Sequence, residues 1–402
     1  MFGGSIVKPG FSSLVASPAI VDYEGLYSWG RNNYGQLGLG YTTYRSSPVQ
    51  VGALTNWLQA AGGYLHTVAI KTDGTLWSWG YNNAGQLGLD NTTNRSSPVQ
   101  VGALTTWAST ACGRDHTLAI KTDGTLWSWG ENNNGQLGLG GTTDRSSPVQ
   151  VGALTTWRQT ACGERFTLAI KTNGTLWSWG LNINGELGIG DTSSRSSPVQ
   201  VGALTNWLQA ACGYNHTLAI KTDGTLWSWG AGSAGQLGLG DTDGRSSPVQ
   251  VGALTTWAST AGGLAHTLAI KTDGTLWSWG GNYFGALGLG NTTERLSPVQ
   301  VGALTTWAST AGGAYHTVAI KTDGTLWSWG YNNNGQLGLG DTTNRSSPVQ
   351  VGALTNWLQT AAGNTQSFAI PAAVTPPEYT QYTGIWTLPQ VNAAVEAGTW
   401  PA

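Results

Sequence analysis

From His66 to Gly80 apolar and polar positions alternate with a period of two. Val68 and Ile70 share one face, and after Asp73-Gly74 the alternation resumes with Leu76 and Ser78 opposite Trp77 and Trp79. A period of two predicts β-strands. Asp-Gly between two such runs predicts a two-residue hairpin with a type I′ turn, whose two central residues both need positive φ. Asn173-Gly174 serves the same turn in the fourth copy. Ser47-Pro48-Val49-Gln50-Val51 predicts another strand, with Pro in its first positions, where a missing N–H is tolerated. Trp57 to Ala61 predicts a fourth, short strand ending in Gly62-Gly63. No stretch of about ten residues in this unit carries a helical period.

The unit recurs every 50 residues. Ser-Trp-Gly ends at Gly30, Gly80, Gly130, Gly180, Gly230, Gly280 and Gly330, and Ser-Pro-Val-Gln-Val recurs from Ser47 to Ser347. A period of this size predicts a solenoid, a propeller or an array. Four short strands per unit, seven times over, predict an all-β, seven-bladed β-propeller; a linear β-solenoid is the alternative. The Ala-Ile strand motif occurs eight times, from Ala19-Ile20 to Ala369-Ile370, whereas the other landmarks occur seven times. The chain therefore starts and stops partway through a blade. The strand near Trp357 is expected to complete the blade begun near Tyr27, closing the ring and removing a free sheet edge. The pattern leaves open which Ala-Ile copy is surplus. The expected organisation is an N-terminal arm (1–18), a propeller (19–370), and a Pro-containing linker with a short helical tail (371–402).

Composition sharpens this picture. Only 9% of the 402 residues are charged, against a usual value near 25%, and the formal net charge is -2. That excludes nucleic-acid or anionic-lipid binding by bulk charge. Twenty of the 22 Trp occupy three repeat positions, with Tyr27 in place of one more. Three Cys are too few for a disulfide framework. No apolar stretch approaches the roughly 18–20 residues of a membrane helix, and the first residues have no signal-peptide pattern.

The run GxxHTxAIKTDGTLWSWGxNxxGQLGLG, followed by SPVQV and a Trp-led strand, resembles the regulator of chromosome condensation repeat over residues 19–370. That resemblance implies a seven-bladed propeller. The family it points to includes a nucleotide-exchange factor for a small GTPase, ubiquitin-ligase modules and bacterial propellers that inhibit β-lactamases, so it implies no single function. The first 18 residues contain only Lys8, unlike the basic tail of the exchange factor. GALTTW, IKTDGTLWSWG and RSSPVQVGALT recur almost verbatim, a style that resembles bacteriophage-encoded propellers. The ending YTGIWTLPQVNAAVEAGTWPA resembles short C-terminal segments of phage tail and appendage proteins.

The copies differ in three groups of positions. One precedes the His: Tyr64-Leu65, Arg114-Asp115, Glu164-Arg165, Tyr214-Asn215, Leu264-Ala265 and Ala314-Tyr315. One follows Ser-Trp-Gly: Arg31, Tyr34, Tyr81, Glu131, Leu181, Ile183, Tyr283, Phe284 and Tyr331. The third lies before the repeated Arg: Tyr41, Tyr44, Asp90 to Asn94, and Asp241 to Gly244. The hairpin brings the first two groups to one end of each blade, opposite the Asp-Gly turns, so seven blades place them in a ring on one face. Nine of the 13 Tyr fall in the three groups, and Tyr gives large amphipathic contact area at low entropic cost. Drift at unconstrained loop tips is the bland explanation, but drift favours small polar residues rather than exposed Tyr, Leu, Ile and Phe. The candidate partner-binding residues are therefore Arg31, Tyr34, Tyr64, Tyr81, Arg114, Asp115, Glu131, Glu164, Arg165, Leu181, Ile183, Tyr214, Leu264, Tyr283, Phe284, Tyr315 and Tyr331.

No chemistry-bearing constellation stands out. His66, His116, His216, His266 and His316 share one repeat position that is Phe166 and Gln366 in other copies, which fits structural His better than a metal ring. Cys112, Cys162 and Cys212 share a small-residue position filled elsewhere by Gly62, Gly262, Gly312 and Ala362; free buried thiols near the axis are expected. Asp241-Thr242-Asp243-Gly244 lacks the later acidic ligand of a calcium loop. Lys71, Lys121, Lys171, Lys221, Lys271 and Lys321 precede the turns and are expected to form a solvated ring. Leu388, Val391 and Val395 after Thr387 predict a short amphipathic helix. No cofactor, metal, catalysis, nucleic-acid binding or membrane insertion is expected. The reading is a non-enzymatic phage virion protein, a structural or appendage component, whose variable face recognises a host surface or a neighbouring virion protein. Residues 1–18 and 384–402 would anchor it to other virion proteins. A bacterial propeller, secreted or cytoplasmic, that binds and inhibits or scaffolds a protein partner is the alternative.

Overall fold

Residues 25–53 and 55–372 are described in the computed structural model of this chain. They form 28 strands in seven four-stranded antiparallel sheets, and no helix occurs among the described residues. From the axis outward, blade 1 consists of Trp57–Gly62, His66–Lys71, Leu76–Gly80 and Arg95–Gln100. Blades 2 to 6 repeat this order at 50-residue intervals. Blade 7 takes its two inner strands, Trp357–Ala362 and Gln366–Pro371, from one end of the ring and its outer two, Tyr27–Gly30 and Arg45–Gln50, from the other. Tyr27 pairs with Ala369 and Gly30 with Gln366, so the Ala369-Ile370 copy closes the ring. Ala19-Ile20, the expected N-terminal arm and the expected tail helix lie outside the described residues.

The Ala-Ile motif has a packing reason. Successive strand residues point to opposite faces, and every blade is covered on both sides by its neighbours. Ala69 packs towards blade 7 with Trp57, Trp79 and Phe368, while Ile70 packs towards blade 2 with Trp107 and Trp129. A small residue facing indoles and a branched residue on the other side fill a layer of fixed thickness. Each blade also sends one indole N–H to the next. Trp79 Nε1 donates to Gln36 O at 3.0 Å, and Trp29 Nε1 to Gln336 O at 2.9 Å across the closure. Gly38, at φ +73°, lies where a Cβ would come 2.8 Å from Trp79 Nε1, so the Gly-Leu-Gly motif keeps room for that indole.

The His position ties neighbouring blades together. His66 Nε2 lies 3.0 Å from Thr117 Oγ1, and Thr117 Oγ1 donates to Gln86 O at 2.9 Å. With its hydrogen committed to that carbonyl, the hydroxyl accepts from the imidazole, which fixes the Nε2–H tautomer. His116, His216, His266 and His316 repeat this link to Thr167, Thr267, Thr317 and Ser367. Burial holds these imidazoles well below the usual value, to about 3, or about 4 for His266. Phe166 replaces the link between blades 3 and 4. At the closure Gln366 Nε2 donates to Gly63 O at 3.0 Å instead.

Three local expectations need correction. The Asp-Gly turns are not type I′: Gly74 has φ +76° but Asp73 does not have positive φ. Gly74 N donates to Lys71 O at 2.9 Å and Lys71 N to Thr75 O at 3.0 Å, the three-residue loop that follows a type I turn with a left-handed Gly. Asp73 favours it because its carboxylate accepts from Thr75 N and Oγ1, at 2.9 and 2.6 Å. The strand starts at Arg45 rather than Ser47, so Pro48 stands fourth in it and not in its first positions; it is tolerated because the strand is the outer edge and its register breaks opposite Ser28 and Gly30. Nor do the lysines form a solvated ring. Lys321 Nζ sits 3.5 Å from the Trp327 ring centroid, Lys171 and Lys221 behave alike over Trp177 and Trp227, and all three are buried. A long alkyl stem ending over an indole face is stable in this way because the ring quadrupole attracts the ammonium.

Candidate functional site

The inner strands run from the turns towards the opposite end of each blade, and the two faces of the disc are chemically different. One face carries the Lys-Thr-Asp-Gly turns and the Gly-Ala-Leu-Thr loops, which touch where Trp107 N donates to Gly74 O at 3.1 Å. The other carries all three groups of variable positions. There Tyr81 N donates to Leu65 O at 2.9 Å, joining the first two groups. The buried Asn82 joins the third: its Nδ2 donates to Asn91 O and Thr93 O, and its Oδ1 accepts from Leu87 N at 2.9 Å. Asn32, Asn132, Asn182, Asn282 and Asn332 do the same in their copies. Gly232 replaces this Asn in blade 4. A Gln two residues beyond the variable tip accepts its backbone N–H, as from Tyr34 N to Gln36 Oε1 at 2.9 Å. The variable side chains thus project from loops fastened at the base, the preorganisation that a recognition surface needs.

The positions immediately before the variable-His pair encircle the axis. Tyr64 N donates to Arg114 O, Arg114 N to Glu164 O, Glu164 N to Tyr214 O, Tyr214 N to Gly263 O, Leu264 N to Ala314 O, Ala314 N to Asn364 O, and Asn364 N to Gly63 O. This ring of seven backbone hydrogen bonds runs from blade to blade around the mouth of the axial channel. Side chains then fill the mouth. Arg114 pairs with Glu164 at 2.6 Å and with Asp115 at 3.4 Å, and its guanidinium lies 5.1 Å from the Tyr64 ring centroid. Tyr214 reaches across the axis and donates from its hydroxyl to Asn364 Oδ1 at 3.2 Å. Below this cap a cavity of about 120 Å³ is lined by Gly62, Cys112, Cys162, Cys212, Gly262, Gly312 and Ala362. The three Cys are free and half-buried, at the axis as expected. Burial pushes the Cys112 thiol up to about 12 and those of Cys162 and Cys212 well above the ordinary range. Among the described residues no group of three or more His, Cys, Asp or Glu could hold a metal ion.

Blades 2 and 3 carry a charged network. Arg165 pairs with Glu131 at 3.7 Å, and Gln86 Nε2 donates to Asp115 Oδ1 at 3.0 Å. Burial, then the neighbouring Glu131, raises Asp115 to about 6, and the adjacent arginines only partly offset this. Arg114, Asp115, Glu131, Glu164 and Arg165 are therefore ion-paired with one another, although Arg114 Nε and Arg165 Nε make no hydrogen bond. Asp241 pairs with Arg245 at 2.6 Å, which gives the Asp-Thr-Asp-Gly sequence an ionic partner of its own.

The opposite side of the same face is aromatic. Tyr283 and Phe284 from blade 5 meet Tyr315 and Tyr331 from blade 6. Ring centroids lie 6.2 Å apart for Tyr283–Tyr315, 5.5 Å for Phe284–Tyr315, 4.7 Å for Phe284–Tyr331 and 6.4 Å for Tyr315–Tyr331. Tyr283 remains 52% exposed and Phe284 38%. Tyr34 and Tyr81 make a second, smaller pair at 4.8 Å, with Arg31 beside them donating to Asn33 Oδ1. Both pairs use one geometry, in which the second tip residue of one blade packs on the first tip residue of the next. Ile183 on blade 3 is 65% exposed, the most of any large apolar side chain among the described residues. Leu181 and Leu264 are half-buried on the same face.

All 17 candidate residues thus lie on one face, but they divide into an aromatic quartet, a Tyr pair, a capped axis with its charged network, and isolated apolar tips. Sequence reasoning missed Asn364, which has the same repeat position as Tyr64 and Tyr214 but lies in the copy where Gln366 replaces His. It also passed over the repeated Leu of Gly-Ala-Leu-Thr.

A family model described as the RCC1-like domain matches residues 155–374. A model of the Regulator of chromosome condensation (RCC1) repeat matches 24–70, 73–120 and 123–170. Among solved structures, Prp20p from Saccharomyces cerevisiae is 22% identical, covering 89% of this chain and 93% of that one with a TM-score of 0.79. Human WBSCR16 is 22% identical, covering 88% and 99% with a TM-score of 0.78. Yeast RCC1 (Prp20) in a structure bound to Kap60 is 20% identical, covering 92% and 97% with a TM-score of 0.79. At these identities the likeness is one of fold.

Proposed function

This chain belongs to the RCC1-like domain family, and from that premise we propose that it is a non-enzymatic recognition propeller that binds a protein partner through the variable-loop face. The observation that carries this reading is the aromatic quartet of Tyr283, Phe284, Tyr315 and Tyr331. In a chain whose copies are otherwise nearly verbatim, two adjacent blades place four rings together on a rigid, partly exposed patch. Exposed aromatic area on a preorganised base is the composition of interface hot spots. Prp20p is described with binding properties to Gsp1p and histones, and yeast RCC1 was solved bound to Kap60, which supports protein ligands for propellers of this shape.

The setting we favour is a phage particle, with the face turned to a host surface or a neighbouring virion protein. The near-verbatim repeats support that setting. Mass spectrometry of purified particles tests it: recovery of this chain at a fixed copy number supports it, and absence from the particles, with capture of a host enzyme by the soluble protein, supports the bacterial inhibitor or scaffold instead. The face itself is tested by replacing Tyr283, Phe284, Tyr315 and Tyr331 together with Ala. Partner binding should fall by at least ~100-fold, with the strand signal in circular dichroism unchanged. Undiminished binding by a folded variant would sink the assignment of the face.

A further inference from the structure

The rim of the disc carries a site independent of the variable face. A cleft of about 560 Å³ opens between blades 5 and 6. Its walls are apolar: Leu289, Val299 and Val301 of blade 5 face Trp307, Trp327 and Pro348 of blade 6. Lys321 and Arg295 complete the lining as cations, and no carboxylate belongs to it. They stand at opposite ends, because Lys321 pairs with Trp307 at the turn face, whereas Arg295 opens the outer strand opposite Gly280. Lys321 is only 8% exposed. Its Nζ lies 3.5 Å from the Trp327 ring centroid and 5.1 Å from that of Trp307, but among the described residues it has no hydrogen-bond acceptor and no ion-pair partner. The nearby Asp323 is held elsewhere, its Oδ1 accepting from Thr325 N and Oγ1 at 3.0 and 2.7 Å. Trp307 Nε1, in the same wall, is also buried without an acceptor. An indole face attracts an ammonium, but it leaves the three N–H donors of a Lys without oxygen partners, and a buried charge is costly until it is paired.

We infer that this cleft binds an amphipathic carboxylate, a single carboxyl group on a hydrocarbon body, with the carboxylate on Lys321 and the hydrocarbon along the apolar walls. Charge selects the head group: the lining offers cations and nothing to repel an anion. Size agrees, since the volume is that of a small-molecule pocket. A peptide added as a further strand fits less well. Pro298 removes an N–H from the outer strand, whose register also breaks, and both features discourage edge pairing. The equivalent positions elsewhere in the ring lack this combination. Arg195, Arg245 and Arg345 are neutralised by Asp191, Asp241 and Asp341. Asn291 takes that place in blade 5, so Arg295 Nη1 donates only to the carbonyls of Thr293 and Glu294. Arg145 is exposed rather than half-buried, Lys71, Lys121 and Lys271 are less buried than Lys321, and Pro371 stands where blade 7 would carry the Lys.

Isothermal titration calorimetry of the full chain with sodium decanoate, kept below its micelle-forming concentration, decides the matter. The parent should bind a single decanoate per chain. Decyltrimethylammonium, the same hydrocarbon with the opposite charge, should not bind. Lys321→Met keeps an apolar stem over Trp327 and removes the ammonium, so it should weaken decanoate binding by at least ~10-fold. Ser347→Trp keeps both cations and sets an indole on the exposed lip of the cleft, so it should abolish binding by filling the entrance. Urea unfolding checks that each variant is folded, and the decyltrimethylammonium comparison needs no variant. Replacing Tyr283, Phe284, Tyr315 and Tyr331 with Ala should leave decanoate binding unchanged, which separates this site from the variable face. A parent chain that takes up no decanoate, equal affinity for the two amphiphiles, several equivalent sites per chain, or undiminished binding by folded Lys321→Met would overturn the assignment.

Discussion

Acid should unfold this propeller at an unusually mild pH. Five buried imidazoles are held neutral, four at about 3 and His266 at about 4, chiefly by burial. Each Nε2–H is committed to a hydroxyl, and the Nδ1 atoms of His66, His116, His216 and His316 have no acceptor to receive a second proton. In the unfolded chain the same groups titrate near 6.5. A folded pKa depressed below the unfolded one means that stability is fully present above about 6.5 and is lost as pH falls towards the folded value. At 1.36 kcal/mol per pH unit, each His costs ~2 kcal/mol at pH 5, and five cost ~10 kcal/mol, which is comparable with the whole stability of a typical domain. Asp115 works the other way. Its raised value, about 6, destabilises the fold at neutral pH and returns only ~1.4 kcal/mol by pH 5. The lowered carboxylates of the turns, such as Asp73, act below pH 4. Urea unfolding followed by Trp fluorescence at pH 7.5, 6 and 5 measures the slope. His216→Phe copies the residue that blade 3 already carries at Phe166, and Thr267 keeps its bond to Gln236 O at 2.7 Å. That variant should lose ~2 kcal/mol less than the parent between pH 7.5 and 5. A parent chain equally stable at both pH values, or a variant with the parent's slope, refutes the reasoning.

Further outcomes follow from single contacts. Thr267→Val removes the acceptor of His216 Nε2 at 3.0 Å and leaves a buried donor unpaired, which should lower stability by ~1–3 kcal/mol in the same urea assay. Gly238→Ala places a methyl 2.5 Å from Trp279 Nε1 at φ +72°, and calorimetry should show a drop in melting temperature larger than that for the same change at Gly252, where a Cβ meets nothing within 4 Å. Cys112, Cys162 and Cys212, with thiols raised by burial, should react with a thiol reagent at neutral pH only slowly in the folded chain, and all three should react promptly in denaturant. Deleting residues 357–372 removes the two inner strands of blade 7 and should abolish cooperative unfolding, since it exposes a sheet edge and the indoles packed against it.

What the sequence determined by itself was whatever repeats. A period of two within a period of 50 specified four strands per unit and seven units, because burial on alternate residues leaves no other regular backbone that satisfies its hydrogen bonds. The surplus of Tyr and Phe where copies differ pointed to one face for the same reason: hairpin connectivity fixes which ends of the strands coincide. The sequence also showed His66 and its equivalents as structural, since Phe166 could replace one. Tertiary structure was needed wherever the decisive neighbour lies in another blade. Phe284 meets Tyr331, Tyr214 meets Asn364 across the axis, and Lys321 covers Trp327 instead of facing water. The turn at Asp73-Gly74 was misread for a local reason of the same kind, because the side chain of Asp73 selects the loop through Thr75. Repetition makes each blade predictable from its own residues, but closing the ring sets the contacts between blades, and on this chain those contacts determine which side chains are left exposed.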